Sequence, residues 1–306
     1  MTMTKTGNMA TPGKMTLPPR QVSVSRLRDY CTLTKPEVNL LILMTTSAGY
    51  YLAARGPVRI VGLVNTLVGT LLVASGTASL NQWMERVWDG RMRRTASRPL
   101  PAGRLSAREA FLFGALLSVA GALYLIVTVN ALSAVLASST LLSYLLIYTP
   151  LKRRTPLCTL LGAIPGATPT LIGWAGAGAR IDAHAWFLFT LLFLWQFPHF
   201  LAIALMYRDD YARAGYRMLP AFDRDSRFTR AEILGFAVIL VIATLIPVSG
   251  GDSYIQPVAM CMMGTFFLHH IVKLTKAASA RAAARVVHAS VVYLPVVLVI
   301  LVARRF

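Results

Sequence analysis

Charge is scarce in this sequence. Only 14% of its 306 residues are charged, 56% are hydrophobic and the mean hydropathy is +0.58, which excludes the quarter-charged composition of an ordinary soluble domain. Cysteine is nearly absent: Cys31, Cys158 and Cys261 are odd in number and widely spaced, with no CxxC and no Cys/His cluster at metal-ligand spacing. Neither a disulfide framework nor a zinc site is therefore expected. The first thirty residues are basic but lack the apolar core and small-residue cleavage site of a secretory signal. Acidic residues are scarce as well, 12 against 31 Lys and Arg.

Long apolar runs are abundant. Nine of them, at 38–54, 60–80, 109–128, 131–149, 157–178, 185–206, 231–249, 254–272 and 286–303, approach or exceed the roughly 20 residues that a helix needs to cross a bilayer. The expected fold class is an all-α integral membrane protein with nine transmembrane helices. Residues 1–31 are expected to be a disordered cytosolic tail and 32–306 one polytopic membrane domain. The basic surplus does not point to nucleic acid, because its distribution follows the membrane. Apart from Arg55, Arg59 and Arg180 on the other side and Arg304 and Arg305 at the chain end, every Lys and Arg falls in the tail or in a loop after an even-numbered span. This is a positive-inside pattern, and it places the N-terminus and those loops in the cytoplasm, beside anionic lipid.

Orientation does not require acids, so their placement is informative. Eight of the 12, namely Glu85, Asp89, Glu109, Asp209, Asp210, Asp223, Asp225 and Glu232, lie in or beside the loops after spans 2 and 6, which face the same side. In the stretch NQWMERVWDGRMRRTASRPLPAG, residues 81–103, Asn81, Glu85 and Asp89 recur every four residues. On a helix they fall within about 80° of one face and climb about 12 Å along it. Such a row of oxygen donors suits a hard cation such as Mg²⁺, which takes one or two carboxylates and completes its shell with phosphate oxygens. The arginines that follow, including Arg94 and Arg98, have the fork geometry that grips phosphate. A lone row of this kind also reads as a solvated helix end whose charges pair with one another.

A second acidic segment shifts that balance. In FLWQFPHFLAIALMYRDDYARAGYRMLP, residues 193–220, Gln196 and His199 sit inside an apolar span, where polar side chains are costly and are functional candidates. The span ends in Arg208, Asp209 and Asp210, a carboxylate pair that could take a second cation. Taken alone, His199 reads equally as one end of an interhelical hydrogen bond.

Together these segments resemble the two aspartate-rich motifs of the UbiA-type intramembrane prenyltransferases. The first motif, N-x-x-x-D/E-x-x-x-D, reads Asn81, Glu85, Asp89. The second, D-x-x-x-D in many relatives, has Ala214 four residues after Asp210, a departure shared with the haem-farnesylating branch, as is WQFPHF. Further matches are TKPEVNLLIL, YTPLKRRTP and GAIPGATPTLIGW, so the resemblance covers roughly residues 32 to 303. It implies nine helices around a lateral cavity, and transfer of a farnesyl group from farnesyl diphosphate to a vinyl group of haem B, with water addition. It also implies Mg²⁺ held by Asn81, Glu85, Asp89 and Asp210 with Asp209 beside them, and diphosphate contacts from Arg94, Arg98, Lys152, Arg153 and Arg208. Haem contact falls to His199 and Gln196 ahead of His269, His270, His184 and His288. The implied setting is the bacterial inner membrane, and the pathway implies an association with haem A synthase or oxidase assembly factors.

Three other readings compete with this one, among them a purely structural haem-handling subunit, which would need His199 but not the eight clustered acids. A prenyltransferase acting on a hydroxybenzoate, naphthoate, homogentisate or chlorophyllide ring shares both motifs. A transporter would place its ion site near the bilayer midplane, whereas here the carboxylates cluster at one edge.

Overall fold

The structure, a computed structural model, describes residues 26–246 and 254–304, and every regular element among them is helical. The elements are α1 (Arg26–Thr34), α2 (Pro36–Ala53), α3 (Ile60–Asp89), α4 (Ala107–Thr128), α5 (Ala131–Leu142), α6 (Thr149–Leu151), α7 (Cys158–Ala167), α8 (Pro169–Gly176), α9 (Ala183–Met206), α10 (Arg208–Ala214), α11 (Arg227–Leu245), α12 (Ile255–Lys276) and α13 (Ala280–Arg304). A π-helical turn, Ser143–Tyr148, joins α5 to α6, and a 3₁₀ turn, Leu219–Ala221, follows α10.

Over their described residues all nine expected spans are largely helical; residues 247–249 of the seventh lie outside the described part. Seven described helices, counting Ala131–Leu151 as one, are long and apolar enough to cross a membrane. The other two expected spans are α2, which is 18 residues long with Glu37 and Asn39 in its first turns, and the α7–α8 pair. The latter breaks at Thr168 because Pro169 has no N–H to continue the ladder. The tail boundary needs correction. Residues 1–25 lie outside the described part, but the chain is already helical at Arg26, so the segment expected to be disordered cannot extend to 31.

Local chemistry sets the helix starts. Ser106 and Glu109 form a reciprocal capping box at α4, Asn130 accepts from Ser133 N–H at α5, and Asp182 accepts from His184 and Ala185 N–H at α9. Close packing in lipid then depends on small residues. A Cβ on Gly76 of α3 would overlap Ser118 Oγ and the Gly114 carbonyl of α4, so only glycine allows these helices their approach. The main core is formed where α2, α8, α9, α11, α12 and α13 meet, with Leu188, Phe267 and Tyr293 almost fully buried.

Candidate active site

The donor row forms as its periodicity predicts. α3 runs unbroken to Asp89, and Asn81, Glu85 and Asp89 are all buried at its end, at 1%, 5% and 1% exposure. Buried carboxylates need partners, and each has one. Lys152 Nζ donates to Glu85 Oε1 at 2.8 Å, and Arg98 donates to Asp89 Oδ2 at 2.7 Å. Asn81 accepts from Lys35 Nζ at 2.8 Å and donates to Thr149 Oγ1 at 3.1 Å.

The two acidic segments meet through the loop between α3 and α4. The backbone N–H of Arg94 donates to Asp210 Oδ2 at 3.2 Å, and Thr95 Oγ1 donates to the Asp89 carbonyl at 2.8 Å. Asp210 is buried and also pairs with Arg213, while Asp209 is exposed. The structure therefore brings Asp210 to the row and leaves Asp209 outside it.

The expected diphosphate residues divide as well. Arg98 and Lys152 reach the row directly. The Arg94 guanidinium lies 4.8 Å from the Tyr207 ring, and that of Arg153 lies 4.0 Å from the Trp88 ring. Arg208 is engaged by the carbonyls of Asp223 and Arg224. Other acids serve the fold: Glu109 caps α4, and Asp223 accepts from Thr229 N–H and Oγ1 at 2.7 and 2.9 Å.

Three contributors were missed. Lys35 is delivered by α1, whose end is held by Gln82 Nε2 donating to the Thr32 and Leu33 carbonyls and by Arg104 pairing with Asp29 at 2.9 Å. It sits just before Pro36 in left-handed conformation, φ 52°, and its only sequence signal was the Lys-Pro at a span start. Tyr216 shares a hydrogen bond with Glu85 and lies in the same small core as Cys158 and Met92. Tyr148 lies under Lys152, ring centroid 4.5 Å from Nζ, on the π-helical turn that also directs Thr149 Oγ1 to Asn81. Single π turns are frequent at functional sites.

The two lysines differ in charge state for a clear reason. Burial and the nearby Arg98 pull the Lys35 ammonium down to about 7, since its direct partner is an uncharged amide. Burial also works against Lys152, but the Glu85 carboxylate in contact outweighs it and raises that group well above its ordinary value. Burial and the same carboxylate raise the Tyr216 hydroxyl. Lys152, Arg98 and Arg213 balance the three buried carboxylates one for one, and Lys35 adds a fourth basic group that an arriving anion would hold protonated.

Joined to the row through Lys35, which lines it and bonds Asn81, is an apolar cavity of about 250 Å³ whose walls include Val73, Ala137, Ile172, Leu192 and Phe200. Gln196 lines this cavity and donates to the Ala163 carbonyl at 2.8 Å. His199 does not line it. Its ring stacks on Trp195, and Nδ1 lies 2.7 Å from Ser290 Oγ of α13.

The sequence profile of the UbiA prenyltransferase family matches residues 42–292. The chain belongs to this family. Among named relatives, the protoheme IX farnesyltransferase of Solibacter usitatus (strain Ellin6076) is 45% identical over 281 residues, covering 89% of this chain and 96% of that protein. The enzyme of the same name from Koribacter versatilis (strain Ellin345) is 46% identical over 232 residues, 75% of each chain. A structure of digeranylgeranylglyceryl phosphate synthase superposes with TM-score 0.74 at 16% identity, covering 92% of this chain and 99% of the other. A UbiA homologue from Archaeoglobus fulgidus bound to GPP and Mg²⁺ gives 0.61 at 14%, covering 89% and 99%. These structures establish the UbiA prenyltransferase fold for the helices described above.

The donor set fits a cation of one kind. Among the described residues no three His, Cys, Asp or Glu side chains cluster closely enough to hold an ion alone. All-oxygen donors in twos suit Mg²⁺, which relies on substrate phosphates and water for the rest of its shell.

Proposed function

We propose that this UbiA-family protein transfers the farnesyl group of farnesyl diphosphate to a vinyl group of haem B, with addition of water, to give haem O. The observation that carries the mechanism is the buried cluster of basic groups and oxygen donors beside an apolar cavity that Lys35 lines: a place for a polyanionic head beside a place for a hydrocarbon tail. The acceptor reading is supported by the protoheme IX farnesyltransferases that match most of the chain.

In this mechanism Asn81, Glu85, Asp89 and Asp210 would hold Mg²⁺, which would supply positive charge to offset that accumulating on diphosphate. Lys35, Lys152 and Arg98, now tied to the same acceptors, turn to the diphosphate oxygens. The allylic carbon–oxygen bond breaks and the bond electrons leave with diphosphate. The cavity walls keep water from the allylic cation until the vinyl carbon attacks it. Water then adds to the carbon next to the ring, and its proton is released. Gln196 is the polar group that α9 contributes to the cavity wall. The cation-rich loops support a site on the cytoplasmic face of the inner membrane, where a soluble diphosphate arrives.

The test is a mass-resolved assay of purified protein with haem B, farnesyl diphosphate and Mg²⁺. Farnesylated, hydrated haem that disappears in Asp89→Asn is the expected result. Unchanged haem with prenylation of an aromatic acid such as a hydroxybenzoate would refute the acceptor assignment and retain the prenyltransferase one.

A further inference from the structure

Beside the donor row is a second cavity, of about 580 Å³, which the mechanism above leaves unused. It shares a wall with the first: Tyr148 lines the tail cavity and the next residue, Thr149, lines this one, with Glu85 of the donor row also at its edge. Its chemistry is different. Trp83 and Trp88 supply two indole faces, and Arg86, Arg153 and Arg154 supply three guanidinium groups. Two of these already lie against the rings, Arg153 at 4.0 Å from the Trp88 centroid and Arg86 at 5.5 Å from that of Trp83.

Indole faces take up a flat π-system, and guanidinium forks take up carboxylates in bidentate fashion. A ligand that satisfies both is a planar aromatic macrocycle bearing acidic side chains. The volume falls within the range of about 300–1,000 Å³ usual for small-molecule sites. Tryptophans and arginines at a membrane edge can instead serve lipid head groups. Here, however, the cavity is recessed against the buried Thr149 and Tyr216 and abuts the donor row, which a head-group contact does not require. His199 faces α13 and lines neither cavity.

We infer that this aromatic and basic cleft, rather than His199, seats the acceptor, with the haem ring against Trp88 and its propionates on Arg153 and Arg154. The inference rests on the haem reading above. It makes the His199–Ser290 contact a link between α9 and α13, and it sets the acceptor at the Glu85 edge of the donor row, beside the diphosphate end of the farnesyl chain.

Ferric haem B and its dimethyl ester, which lacks the carboxylates, are titrated into full-length protein in phosphatidylcholine nanodiscs, with tryptophan quenching and the Soret band as readouts. The wild type is expected to bind haem at least tenfold more tightly than the ester. The R153A/R154A variant is expected to lose that advantage while its affinity for the ester stays within twofold. Equal affinity of the wild type for haem and ester overturns the assignment, and does so even where the variant fails to fold. Haem binding that survives in R153A/R154A but is lost in His199→Ala also overturns it, leaving the haem reading intact. A variant effect seen only in phosphatidylglycerol nanodiscs would make the cleft a lipid site and overturn it too. No haem binding by the wild type would instead sink the haem reading itself.

Discussion

Lys152→Met isolates the electrostatics of the site. Lys152 Nζ lies 2.8 Å from Glu85 Oε1, with the two side chains only 14% and 7% exposed. Methionine keeps most of the stem and removes the ammonium, leaving Glu85 charged and buried. Removing one partner of such a pair costs about 3–5 kcal/mol. Tyr216 and Lys35 still face Glu85, which places the expected loss near the lower end, about 3 kcal/mol. At about 2–4 °C per kcal/mol for a chain of this size, the unfolding midpoint should fall by roughly 6–12 °C. Cys158 provides the probe: it is fully buried in the cluster that contains Tyr216. With the exposed Cys31 and Cys261 replaced by serine, a thiol-reactive dye in detergent reports the opening of that cluster. The second half of the cycle is decisive, because Glu85→Gln removes the stranded charge. The E85Q/K152M double variant should recover most of the lost stability, a coupling of about 2 kcal/mol. A double variant no more stable than the sum of the singles, or a Lys152→Met midpoint equal to wild type, would refute the claim that these two groups depend on each other.

The remaining predictions use the same geometry. Lys35→Met removes the basic group that joins the cavity to the donor row and should raise KM for farnesyl diphosphate at least tenfold with a smaller change in KM for haem, as steady-state kinetics would show; equal effects on both would place Lys35 elsewhere. Chelation of Mg²⁺ should abolish product formation while leaving haem titrations unchanged, a separation that spectroscopy and mass analysis read independently. Ala137→Phe fills part of the tail cavity and should shift preference from farnesyl toward geranyl diphosphate in a competition assay; unchanged preference would mean the tail lies elsewhere. Gly76→Val forces a side chain into Ser118 and the Gly114 carbonyl and should cost about 1–3 kcal/mol, measured with the same dye.

The local features of this protein were legible in its sequence. Over their described residues the nine apolar runs are largely helical because the demand for satisfied backbone in lipid acts on each run by itself. The row Asn81, Glu85, Asp89 was readable because it depends only on the pitch of one helix. Residues 26–31 were expected to belong to a disordered tail but are helical, because α1, with its low hydrophobicity, is held by partners far along the chain, Gln82, Arg104 and Glu109. Tertiary structure alone decided which bases meet which acids. Lys35 reaches Asn81 across 46 positions, and Arg94 reaches Asp210 across 116; neither contact leaves a periodic trace. The choice of Asp210 over its neighbour Asp209, the turn of His199 toward Ser290, and the second cavity beside the donor row have the same origin. A helix shows its pitch in its own sequence, but its rotation and the neighbour it faces are set by the packing of the whole bundle.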